Sequence, residues 1–181
     1  LEQRPFLYIG SRDWYAHLYN DAIDMDYSES YLKEILTEVK TIAVVGASSK
    51  KDRDSFKVMS SLIENDYKIF PINPNESGKI ILGEKCLPSL DTIEENIDMV
   101  DIFRANKALV GVTKEAIKIG AKVLWMQEGI IHYDAANLAK NAGLKVIMDR
   151  CPKKELSKPY WTNKTKYLLI DSICAYKIKY F

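Results

Sequence analysis

Five short runs of apolar, mostly β-branched residues, separated by segments of helical periodicity, constrain this chain more than any other feature. They are Thr41 to Val45, Lys68 to Ile72, Met99 to Phe103, Lys122 to Met126 and Leu144 to Met148. A strand that is apolar along its whole length needs cover on both faces, and a parallel sheet with helices on each side supplies it. The intervening segments fit such helices. Phe56, Met59, Leu62 and Ile63 recur at helical spacing behind Asp54 or Ser55, either of which can cap, and the segment ends at Asn65-Asp66. Leu109, Val112, Ala116 and Ile119 repeat ahead of Gly120, and a third helix is expected from about Tyr133 to Ala142, ahead of Gly143. The pattern predicts an α/β fold, a doubly wound sheet of about five parallel strands with helices on both faces.

Right-handed crossovers put all strand C-termini and helix N-termini on one edge of such a sheet. A site is therefore expected among Gly46 to Ser55, Asn73-Pro74, Arg104, Gln127 to Gly129 and Asp149 to Pro152. Upstream, Tyr31, Leu32, Ile35 and Leu36 predict a helix within Ser28 to Val39. Residues 1–27, with Trp14, Tyr15 and Tyr19, read as an aromatic arm wrapping the body, 28–156 as the domain and 157–181 as a C-terminal extension. The apolar stretch from Tyr167 to Ile178 is expected to pack as a terminal strand or helix. It falls well short of the ~20 residues of a bilayer span.

Lys and Arg number 26 against 25 Asp and Glu, so the chain lacks the basic excess of a non-specific nucleic-acid or membrane-surface binder. Any anion site must be local. Cys86, Cys151 and Cys174 are odd in number, without metal-ligand spacing and apart from His17 and His132. They point to reduced thiols in an intracellular protein with no metal site. The charged opening Leu1-Glu2-Gln3-Arg4-Pro5 has no apolar stretch of the length a secretory signal needs, which favours the cytoplasm and leaves organelle targeting open.

The first strand runs into Gly46-Ala47-Ser48-Ser49-Lys50-Lys51-Asp52-Arg53-Asp54-Ser55. A strand ending in Gly and small residues and then opening a helix turns backbone N–H groups and the positive helix end toward an anion. The dinucleotide fingerprint wants glycines at the positions of Gly46, Ser48 and Lys51, and two of the three are missing. Hydroxyls of Ser48 and Ser55 and the cations Lys50, Lys51 and Arg53 replace them. At the end of the second strand, where NAD-binding folds place an Asp or Glu for the ribose, stands neutral Asn73, followed by Pro74. That suits a nucleotide with an extra ribose phosphate, and it also suits a plain turn.

Together with Tyr67, Pro71 to Pro74, Gly83, Val100 to Arg104, Leu124 to Gln127, Gly129 and Met148 to Pro152, these residues resemble the stand-alone CoA-binding domain proteins. That family is related to the CoA-binding domain of the succinyl-CoA synthetase α subunit. The resemblance covers about residues 28–156 and implies a Rossmann-like fold that binds coenzyme A or an acyl-CoA. It implies that Gly46, Ala47, Ser48, Lys51, Arg53 and Ser55 surround the CoA phosphates, that Asn73 and Pro74 border the nucleotide, and that Phe103 and Arg104 lie beneath it. Met126, Gln127, Glu128 and Gly129 correspond to a further CoA-contacting segment. Where the synthetase has a CoA-binding lysine after its second strand, this chain has Glu76, which passes a 3′-phosphate contact to Lys50 or Lys51.

Arg104 can clamp a phosphate or bridge to Asp101 or Asp149, and Trp125 reads as core. If Pro152 opens a helix, Cys151 sits at its N-terminus among cations, an arrangement that lowers a thiol pKa; a small buried residue is the stronger reading. No nucleophile matches His17 or His132, and Glu128 and Asp149 read as solvated edge charges, so no catalytic residue is assigned. The expected function is a non-catalytic or regulatory CoA-binding protein. An NAD(P)-dependent oxidoreductase with an atypical fingerprint and an interaction subunit with a vestigial pocket, docking a partner or a second copy through arm or tail, are the alternatives.

Overall fold

A computed structural model describes residues 25–162. The chain enters through α1 (Glu29–Glu38), whose first turn is capped by Ser28 Oγ accepting from the Tyr31 N–H at 3.2 Å. Then β1 (Thr41–Val45), α2 (Asp54–Glu64), β2 (Lys68–Ile72), a two-strand hairpin of β3 (Ile80–Ile81) and β4 (Glu84–Lys85), and β5 (Met99–Ile102) follow. The second half adds α3 (Leu109–Lys118), β6 (Val123–Met126), α4 (Tyr133–Asn141), β7 (Lys145–Ile147), and two short helices, α5 (Pro152–Leu156) and α6 (Pro159–Thr162).

The main sheet is parallel throughout in the order β2-β1-β5-β6-β7. Chain order reverses between β1 and β5, which opens a crevice beyond their C-terminal ends. Pro71 lies in β2, an edge strand, the place where a missing N–H is tolerated.

Alternation along the strands sorts side chains into two cores. Ala43, Val45, Val100, Ile102, Leu124 and Met126 face α3 and α4. Ile42, Val44, Met99, Val123 and Trp125 face α1, α2 and Leu156. Trp125 is fully buried, as expected of core, with its indole N–H donating to the Arg150 carbonyl at 2.7 Å.

The five expected strands and three of the helix ends fall where the periodicity puts them, with Asp66, Gly120 and Gly143 at positive φ after α2, α3 and α4. One local expectation is corrected, and one element was not anticipated. Arg53, not Asp54 or Ser55, is the cap of α2, with no side-chain capping bond; Asp54 lies inside the first turn, 3.6 Å from Lys57 Nζ. The hairpin escaped the sequence reading because its two-residue strands turn through Leu82 and Gly83, at φ 53° and 90°, and Leu82 hides the turn. His132 caps α4, its Nδ1 accepting from the Ala135 N–H at 3.3 Å. The aromatic arm up to residue 24, His17, Cys174 and the tail stretch lie outside the described residues. No helix among the described residues is long and apolar enough to cross a membrane.

Candidate functional site

The crevice between β1 and β5 is built around Gly46. Its φ is 93°, and a Cβ there would sit 2.6 Å from the Phe103 carbonyl oxygen and 3.1 Å from Arg104 Cδ. Only glycine lets the loop after β1 pass so close to the end of β5. The N–H groups of Gly46 and Ala47 are not free for a ligand, since both donate to the Ile72 carbonyl, at 2.9 and 3.2 Å. Asn73 completes this clasp, its amide nitrogen donating to the Ala47 carbonyl at 2.7 Å and its amide oxygen accepting from the Asn75 N–H at 3.0 Å.

Glu76, which sequence reasoning treated as a missing lysine, is instead part of the loop. Its carboxylate accepts from the Ser49 N–H at 3.0 Å and from the Ser48 hydroxyl at 3.3 Å, and Lys79 lies 3.6 Å away. The bonds from Ser49 hold its carboxyl below the ordinary range. The loop thus cradles an anion already, one supplied by the chain itself.

Two cavities adjoin along Phe103 and Asp54. The first, about 420 Å³, lies over the loop and is lined by Gly46, Ala47, Ser48, Lys50, Arg53, Ser55, Asn73 and Glu76. The second, about 650 Å³, lies beyond β5 and is lined by Arg104, Gln127, Glu128 and Gly129, with Lys57, Val58, Ile130, Cys151, Lys153 and Lys154 across from them. Of the expected site residues, three stand apart. Lys51 lines neither cavity but a cleft along α2 beside Phe56, which shares Lys57 and Lys153 with the second cavity, leaving Lys50 over the loop. Pro74 is exposed at the start of a single helical turn. Met126 is fully buried in the α3–α4 core, because it alternates in β6 with Trp125.

Arg104 makes no ion pair with Asp101 or Asp149, so its guanidinium is available to the second cavity. Asp149 instead accepts from the Gly129 N–H at 2.7 Å and shapes that turn. Glu128 pairs with Lys154 across the rim. Cys151 caps α5 and borders the cavity, but burial raises its thiol pKa, contrary to the lowering expected of a helix N-terminus among cations. Beneath the floor, fully buried Asp101 takes both carboxylate oxygens to the Gln127 amide nitrogen, at 2.7 and 2.8 Å. Burial pushes its carboxyl up to about 7.

Lys57, Lys153 and Lys154 were missed because their place at the rim depends on how α2 and α5 pack together. The lysines after Pro152, at the functional edge, were the available signal.

A family model described as the CoA binding domain matches residues 40–157. The uncharacterized protein YneT of Bacillus subtilis is 40% identical over 126 residues, 70% of this chain and 92% of that protein. The ADP-forming acetate-CoA ligase of Methanocaldococcus jannaschii is 30% identical over 133 residues, which span 69% of this chain but 19% of the ligase. Among solved structures, a hypothetical protein from Pyrococcus horikoshii superimposes with TM-score 0.68 at 39% identity, covering 72% of this chain and 91% of its own. A Thermus thermophilus protein does so with TM-score 0.69 at 33% identity, over 71% and 96%. With its parallel sheet, its glycine-pinned loop and a family match from residue 40 to residue 157, this chain belongs to the CoA-binding domain family.

Proposed function

We propose that the protein binds coenzyme A or an acyl-CoA, with the nucleotide half over the loop after β1 and the pantetheine arm in the cavity beyond β5. The observation that carries this reading is the pair of adjoining cavities at the sheet's switch point, one polar and one deeper, divided by Phe103. CoA has the matching form: a phosphorylated nucleotide joined to a long, mostly uncharged arm. Lys50 and Arg53 line the cavity over the loop, where the phosphates of the nucleotide half meet them. Among the described residues no cluster of His, Cys, Asp or Glu suits a metal ion. His132 serves a helix cap, and burial favours Cys151 as a thiol. The role we propose is non-catalytic or regulatory, the holding of CoA.

Calorimetry tests this. CoA is expected to bind, 3′-dephospho-CoA more weakly and NADPH not detectably. Arg53→Ala should weaken CoA about threefold or more while leaving the melting temperature within the small range of a surface change. Absence of CoA binding at millimolar ligand, or an Arg53→Ala affinity equal to that of the parent, would overturn the assignment.

A further inference from the structure

The fold keeps a carboxylate where none is needed for packing. Asp101 is fully buried in β5, level with Val44 and Trp125 on the neighbouring strands and bonded to Gln127, which lines the second cavity. Replacing such a buried group by an apolar residue of similar size is often neutral or stabilising, so its presence asks for another reason. Its carboxylate bonds are the informative ones. Both oxygens receive the amide nitrogen of Gln127, and the Ile102 N–H adds a further donor.

An ionised carboxylate only accepts, so it dictates which end of the Gln127 amide turns inward. The nitrogen is bound to Asp101, and the amide oxygen has no hydrogen-bond partner among the described residues while Gln127 lines the cavity. Gln127 is itself held: its N–H reaches the Ile102 carbonyl at 3.4 Å, and its carbonyl accepts from the Ile130 N–H at 2.9 Å. Its side chain is buried, which leaves it little freedom beyond the direction of its amide.

We infer that Asp101 is a positioning residue that fixes the Gln127 amide oxygen as a hydrogen-bond acceptor toward the second cavity, where it receives an amide N–H of the ligand's arm. This rests on the CoA reading above, since the pantetheine arm carries two such N–H groups. The device has a protonation state as well as a shape. When Asp101 takes a proton its hydroxyl can donate to the Gln127 oxygen, and the amide then turns its nitrogen to the cavity. A donor then faces a donor, and the arm loses its bond.

The charged and titratable groups on the surrounding elements are Cys151, Lys153 and Lys154 at α5, Asp54 and Lys57 on α2, and Arg104 and Glu128 at the rim. Burial raises the thiol pKa of Cys151, which adds no charge below pH 8.

The experiment compares CoA with the methyl ester of adenosine 3′-phosphate 5′-diphosphate, whose one phosphate titrating in this range is the 3′-phosphate, as in CoA, but which has no arm, by calorimetry from pH 5.5 to pH 8. The affinity ratio of the two is expected to fall about threefold to tenfold as pH drops through the Asp101 range near 7, the size of one neutral hydrogen bond. Asp101→Asn keeps the shape without the titration and should make the ratio flat with pH. Gln127→Met should lower the ratio at pH 8 and flatten it too, which serves if Asp101→Asn does not fold. A flat ratio in the parent protein, or an unchanged slope in either variant, overturns the inference while CoA still binds. Failure of both probes to bind overturns the CoA reading and this inference together.

Discussion

At the residue scale, the loop after β1 carries the most information, and part of it was readable in advance. Gly46 is legible because a strand followed by one obligatory glycine is a local signature, and the 2.6 Å approach of the Phe103 carbonyl supplies its physical cause. Glu76 was not legible. Twenty-eight residues separate it from Ser48, and only the turn after Asn73 brings its carboxylate to the Ser48 hydroxyl and the Ser49 N–H. In that place it competes with any ligand phosphate for the same donors. Glu76→Gln keeps an oxygen for the Ser49 N–H and removes the negative charge. CoA affinity should rise about threefold to tenfold at low salt, with the gain shrinking as salt screens it. Calorimetry at two ionic strengths checks this, and an affinity that falls or stays constant would show that Glu76 is not in the phosphate's way.

At the scale of elements, the five strands of the main sheet and the helices α1 to α4 fall where the sequence puts them, because each repeats its apolar residues at its own period and stops at a recognisable end. The hairpin was missed for want of both: strands of two residues have no period, and the turn at Leu82 and Gly83 depends on a leucine at φ 53°. Lys51 and Met126 show a second limit. Both stand in the right segment of sequence, yet one more step around a loop or along a strand turns a side chain to another cleft or into the core. Helix ends can be tested singly. Ser28 caps α1 through its hydroxyl, and α1 covers one face of the sheet through Leu32, Ile35 and Leu36. Ser28→Ala should cost about 1 kcal/mol, read as a lower urea midpoint at unchanged slope. A midpoint equal to the parent's would mean that the N–H groups of the first turn are satisfied equally well by water.

At the scale of the whole molecule, buried carboxyls give stability a pH dependence of predictable sign. Asp101 rises from an ordinary 3.8 to about 7 because it is desolvated, with the Gln127 bonds only partly opposing. Between these values the folded chain keeps a proton that the unfolded chain has released. Unfolding free energy must then fall as pH climbs through that window, by an amount on the order of 2–4 kcal/mol for one group. Asp98 works the other way. Burial opposes its ionisation, but Lys122 at 2.8 Å and the N–H groups of Lys40 and Thr41 outweigh that and lower its pKa, as Ser49 does for Glu76. Those two contribute stability that is present above the ordinary carboxylate range and lost as pH falls below it. The melting temperature should therefore peak in mildly acidic solution, drop on the acid side through Asp98 and Glu76, and decline toward pH 8 through Asp101. Asp101→Asn should remove the decline between pH 5 and pH 8 and leave the acid limb in place, so that the variant gains on the parent as pH rises. Thermal melts of both proteins across pH 3 to 8 decide it. An equal decline in the two would place the proton elsewhere and deprive Asp101 of its part in both stability and binding.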